Sequence, residues 1–330
     1  MMSVIGHAKR LSGYPALSDN GEIMLLKQLT GFSLALMAMI AYSLYLVPRK
    51  RSHVSQRTFT FWMGCGILLG TGVIGLLGVK GIHMPTHRQY GMMFIGGLVW
   101  STGTLAYCVA IKSIGLARST PIKNLSALMG TFIGILLFHE FTFHRIVPTT
   151  LVIMGSVLTV ISTTILGGVE ATDDTADWEG SAGVVVGLLA AFWAAIAYSA
   201  YTIPMKIVYA QGVTPTSFLF FMGQGCFVGM TALALVTKDT SVKNAVSWRD
   251  RNLAGLAGIT WAVGSFCANT AISMIGVAVA WPIMKNTLFT VLYGVFVLRE
   301  VDVARRKREL TSGLALSFAG VVLLALAMRR

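Results

Sequence analysis

The chain has 330 residues, 55% hydrophobic and 12% charged, with a mean hydropathy of +0.72. A soluble domain carries about 25% charged residues, so this composition excludes one. The net charge of +13 is spread over short loops rather than gathered in a basic domain, which argues against nucleic-acid binding and for contact with anionic lipid heads.

Residues 1–28 are polar and mixed, and no cleavable signal peptide is expected there. Apolar runs follow at about 29–47, 58–79, 90–111, 113–138, 146–167, 182–203, 215–237, 253–274, 275–298 and 311–328. Each approaches the roughly 20 residues a helix needs to cross a hydrocarbon core of about 30 Å. Backbone polar groups cannot stay unpaired in lipid, so all ten runs are expected to be helices. Cys65, Cys108, Cys226 and Cys267 fall inside these runs without metal-ligand spacing, so neither a metal nor a cofactor is expected. Between the fifth and sixth runs lies 168–181, GVEATDDTADWEGS, with five acidic residues and no basic ones. It reads as a solvated tether.

The chain repeats itself. AYSLYLVPRK at 41–50 returns as AYSAYTIPMK at 197–206, and FWMGCGILLG at 61–70 as FFMGQGCFVG at 220–229. Gly97-Leu98-Val99-Trp100 matches Gly258-Ile259-Thr260-Trp261, Pro121 matches Pro282, and Phe138-His139-Glu140 matches Leu298-Arg299-Glu300. The offsets run from 156 to 161 residues, as expected of a duplicated five-helix unit. Five is odd, so the second unit enters the membrane with opposite orientation. The expected fold is an all-α integral membrane protein: ten transmembrane helices as two inverted five-helix repeats, 29–167 and 182–330. Both termini then share one side. That side carries nine Lys and Arg and the other fourteen, which leans toward external termini.

Polar residues recur at matched places. Lys123-Asn124 follows Pro121, and Lys285-Asn286 follows Pro282. A lysine near a helix centre costs about 2.5–3.5 kcal/mol on insertion scales. It is therefore expected either to line a cavity, where it can bind a carboxylate, a phosphate or a hydroxyl, or to snorkel toward a helix end. Trp100 and Trp261 offer ring faces to a solute or act as packing wedges. Tyr42, Tyr45, Tyr198 and Tyr201 read as an interfacial belt or as cavity donors. Gln224 and Asn269 are mid-span polar candidates that could equally bond between helices. Glu140 and Glu300 end the fourth and ninth spans and are expected to cap them or to pair with bases such as Arg145. Arg118 reads as a lipid-head or solute contact. No Asp or Glu lies mid-span, so no carboxylate proton relay is evident.

With these residues in view, the chain resembles the drug/metabolite transporter superfamily. Within it, the chain is similar to the glucose/ribose porter and rhamnose-transporter-like branch. The likeness runs from about 29 to 328. It rests on Gly96-Gly97-Leu98-Val99-Trp100-Ser101-Thr102-Gly103, on Ser113-Ile114-Gly115-Leu116-Ala117-Arg118-Ser119-Thr120-Pro121-Ile122, and on the terminal Glu140 and Glu300. It implies alternating access, with spans 1–4 and 6–9 around a cavity and spans 5 and 10 peripheral. That branch usually has small, uncharged residues after the prolines, where this chain has lysines.

The reading is a membrane transporter moving a small polar metabolite, a sugar or sugar-derived solute. The alternative is an exporter of amino acids or anionic metabolites; a scaffold or an enzyme is more remote. HExxH, GxSxG, mid-span carboxylate pairs and Cys/His clusters are missing, so no catalytic residue is expected. Lys123, Asn124, Lys285, Asn286, Trp100, Trp261, Gln224 and Asn269 are the candidate solute-binding residues. Expected partners are the solute and the lipid bilayer, with a homodimer left open and no nucleic acid. The expected location is a plasma or inner membrane.

Overall fold

A computed structural model describes residues 19–45, 47–78, 82–141, 146–170, 181–236, 246–286, 288–293 and 305–328. Among them every regular element is helical. In chain order these are α1 (Asp19–Leu44), α2 (Val47–Lys50), α3 (Gln56–Leu77), α4 (His87–Asn124) and α5 (Ser126–Phe132). A π-helical turn (Ile133–Leu137) follows, then α6 (Ile146–Glu170), α7 (Ser181–Ala200), α8 (Thr202–Ala210) and α9 (Pro215–Val236). The chain continues through α10 (Trp248–Ile275), α11 (Val277–Met284), α12 (Leu288–Tyr293) and α13 (Lys307–Ala327). Nine helical stretches among the described residues are long and apolar enough to cross a membrane.

Local chemistry fixes several ends. Ser55 starts α3 by accepting from the Thr58 amide at 3.2 Å. Thr86 and Gln89 start α4 as a reciprocal pair, Thr86 N–H to Gln89 Oε1 at 2.9 Å and Gln89 N–H to Thr86 Oγ1 at 3.3 Å. This T-x-x-Q capping box satisfies two donors that the helix would otherwise leave free. Prolines set other ends. A proline ring displaces the carbonyl four residues earlier from the helical ladder. Accordingly α1 stops at Leu44, four before Pro48, and α7 stops at Ala200, four before Pro204. Pro282 lies inside α11, and the Ala278 carbonyl it displaces lies 3.2 Å from Thr131 Oγ1, whose one proton is shared among Ala278, Ala127 and Ser156.

Two expected spans differ from the reading of the sequence. The expected boundary at residue 112 between the third and fourth spans lies inside a helix that continues to Asn124, although His87–Ile111 and Arg118–Leu137 are each long and apolar enough to span; the break falls at Leu125. The polar Lys112 interrupts the apolar run but leaves the backbone ladder intact. The expected span 275–298 is interrupted at Lys285–Asn286, between α11 and α12, and residues 294–298 lie outside the described residues.

Helix neighbours occur in matched pairs. α4 packs on α7 as α10 packs on α1, and α4 packs on α9 as α10 packs on α3. Glycines make the close approaches. Gly97 lies against the Met222 carbonyl and Cys226 amide, and Gly258 against the Met63 carbonyl and Ile67 amide, so any side chain there would meet backbone. The partner residues are offset by 159 and the glycines by 161, the spacing of the repeats in sequence. α6 packs on α13, joined by Ser162 Oγ to the Gly313 carbonyl at 2.8 Å.

Candidate solute-binding site

The breaks in the helices bring cations and rings together. Lys285 terminates α11, and its ammonium lies over three rings: Trp281 at 4.5 Å from the centroid, Tyr42 at 5.2 Å and Tyr198 at 5.2 Å. Tyr42 and Tyr198 are matched in the repeat, so Lys285 is equidistant from two equivalent groups on α1 and α7. Their hydroxyls bond to matched partners as well, Tyr42 with Ser265 at 3.0 Å and Tyr198 to Thr104 at 3.2 Å. Beside them Trp100 and Trp261, again a matched pair, meet at 4.4 Å between centroids and 47° between planes. Trp100 lies 6.2 Å from Tyr198, which makes the cluster continuous. Trp281 is held by donating from its indole nitrogen to the Ser126 carbonyl at 3.0 Å, over Gly130, whose lack of a side chain admits the ring.

Lys123 lies over Tyr107 at 4.9 Å, and Tyr107 is fixed by a 2.8 Å hydrogen bond with Thr120. Lys285, like Lys123, thus meets aromatic faces. Among the described residues no carboxylate pairs with either. Both lysines are half-buried; from Val277 to Asn286 every other residue is buried. A ring face attracts an ammonium by about 0.5–2 kcal/mol. Taking that ion out of water costs several kcal/mol. Among the described residues, rings rather than carboxylates face the two lysines.

The other candidates are placed differently. Asn124 is buried, with neither amide atom bonded. Asn286 is turned toward α13: its Oδ1 accepts from Ser317 Oγ at 2.9 Å and from the Leu288 amide at 2.9 Å. Asn269 is buried with an unbonded Nδ2. Gln224 accepts from the exposed Tyr90 hydroxyl at 3.3 Å, joining α9 to α4. Trp281, Tyr107, Thr104 and Ser265 were not singled out from the sequence. Trp281 was findable, because it precedes Lys285 by four residues and so shares its helical face.

Glu140 does more than end a span. Its carboxylate accepts from the Val277 amide at 2.9 Å and the Ala278 amide at 2.7 Å, the first two donors of α11, and pairs with Lys206 of α8 at 2.8 Å. Gly276, at φ 85°, turns the chain so that those amides are free. His139 precedes Glu140 at φ 50°, a left-handed conformation that follows the π-helical turn. Glu300 and Arg145 lie outside the described residues.

A multi-pass helical membrane protein whose interrupted helices gather cations and aromatic rings is built as a solute carrier. Comparison with known proteins identifies the kind. The sugar transport protein family matches residues 34–327, and the chain belongs to that family. It is similar to a protein of Bacillus anthracis named for sugar uptake, with 26% identity over 300 residues, 90% of this chain and 99% of the relative. A protein of Listeria monocytogenes, also named for sugar uptake, is 25% identical over 246 residues, 73% of this chain and 80% of its own. One of Priestia megaterium, named for glucose uptake, is 23% identical over 268 residues, covering 78% and 88%. A solved crystal structure shares the fold with a TM-score of 0.64 at 19% identity, covering 92% of this chain and 98% of that one. The protein is a multi-pass sugar transporter of the plasma membrane.

Proposed function

We propose that the protein carries its sugar by alternating access, through ten spans arranged as two inverted five-helix repeats around Lys285. The observation that carries this reading is the equal 5.2 Å reach of Lys285 to the matched Tyr42 and Tyr198. A group equidistant from equivalent residues of two halves lies on the plane that contains the axis relating them, and transporters of this architecture bind solute at the interface of the repeats. The contact of Trp100 with Trp261 and the matched packing of α4 on α9 and α10 on α3 support the same axis.

In this scheme Lys285 and Lys123 donate to the solute, and the tyrosine and tryptophan faces line it. Asn124 and Asn269, which keep unbonded amide groups, add donors or acceptors when the helices move. Gln224 and Asn286, already bonded to neighbouring helices, act as fasteners. No chemical step on the solute is proposed. The test is uptake by cells carrying the double variant Lys123→Met, Lys285→Met. Uptake is expected to vanish while the amount of protein in the membrane is unchanged; retained uptake overturns the site.

A further inference from the structure

Lys123 and Lys285 are two half-buried lysines whose amino groups lie over aromatic rings. Each lost part of its water on folding, and among the described residues no carboxylate replaces it. Ring faces return only a fraction of what an ion loses on leaving water. The end of α11 turns partial negative charge toward Lys285, a further but small attraction. A neutral sugar would bring hydroxyl dipoles and no counter-charge for either lysine. An amino acid would bring a third ammonium. A solute with an anionic group would satisfy both lysines, and the half-buried setting of Lys285 in an otherwise buried segment gives such a group a way to reach it.

We infer that the transported sugar bears an anionic group, a carboxylate or a phosphate, held between Lys123 and Lys285, with its ring against the aromatic faces. This rests on the central-site reading above and names the substrate class of that site. Among residues already assigned, Lys285 becomes the selectivity element, since it meets three rings, whereas Lys123 meets one.

The experiment uses the full-length protein in proteoliposomes. Accumulation of labelled glucose, glucuronate and glucose 6-phosphate is measured, with each unlabelled compound also used as competitor. The three share one ring and differ in charge. The expected result is that glucuronate, glucose 6-phosphate or both are taken up and compete at least about tenfold better than glucose, the ratio of one retained charge-assisted contact. Uptake of only one of the two identifies the anionic group. Lys285→Met is expected to bring the three compounds to near parity, and Lys285→Arg to keep the preference. Ligand-induced thermal stabilisation of the unmodified protein gives the same ranking without relying on a variant that folds. If glucose is preferred and Lys285→Met leaves the ranking unchanged while uptake persists, the anionic inference fails and the carrier reading stands. If no sugar, charged or neutral, is taken up or stabilises the protein, the central-site reading fails and this inference with it.

Discussion

Glu140 offers the sharpest test of how the helices are joined, because its contacts with Val277, Ala278 and Lys206 can be removed in steps. The carboxylate is 9% exposed and bonds the Val277 and Ala278 amides at 2.9 and 2.7 Å and the Lys206 ammonium at 2.8 Å. Both amides belong to fully buried residues, so water does not reach them once the carboxylate is gone. Glu140→Ala leaves two buried donors unpaired at about 1–3 kcal/mol each, a total of roughly 2–6 kcal/mol. Glu140→Gln keeps one carbonyl oxygen for one donor and is expected to cost about half as much. Lys206→Met removes an ion pair whose cationic side chain is 22% exposed, together with the ammonium's contact with the Phe138 ring, and leaves the cap in place. Its cost is about 1 kcal/mol. The order of destabilisation is therefore Glu140→Ala, then Glu140→Gln, then Lys206→Met. Thermal unfolding of the purified variants in one detergent reads that order directly. A loss in Lys206→Met as large as in Glu140→Ala would refute the reasoning, because the ion pair rather than the helix cap would then hold the joint.

Two further tests address the packing. Gly97→Val and Gly258→Val are expected to lower the folded yield by similar amounts, since each drives a side chain into a carbonyl of the facing helix, and overpacking costs about 1–3 kcal/mol or more. Gly91→Ala, where no atom lies within 4 Å, is expected to be neutral or stabilising by up to about 1 kcal/mol, and a loss comparable to the other two would contradict the close-approach account. Thr131→Val is expected to cost about 1–2 kcal/mol by taking the shared hydroxyl away from the Ala278 carbonyl. In a Pro282→Ala background the restored amide serves that carbonyl, so the cost of Thr131→Val should shrink by about 1 kcal/mol; additive costs in unfolding measurements would show that the two groups are independent.

Much of the architecture was legible because membrane helices declare themselves locally. Apolar length marked the spans and Pro48 and Pro204 stand at helix ends, whereas the T-x-x-Q start at Thr86 and Gln89 emerged only with the structure. The site was legible only in part, and the repeat itself obscured some of it. Lys123 stands two residues after Pro121, whereas Lys285 stands three after Pro282. One residue is about 100° around a helix of 3.6 residues per turn. Treating the lysines as equivalent therefore hid that one meets three rings and the other one. Glu140 was read against its own span because its true partners, Val277 and Ala278, are 137 and 138 residues away and are set by tertiary packing alone.

Gly115 and Gly276 carry the same lesson further. They are matched in sequence, yet Gly115 lies within the unbroken α4, while Gly276 takes φ 85° and ends α10. Glycine permits a left-handed turn without requiring it, so sequence could not say which of the two would use it. The turn at Gly276 is what frees the amides that Glu140 binds. The matched positions thus differ concretely: a continuous helix at Gly115, and at Gly276 a broken one clasped by a carboxylate from the other half.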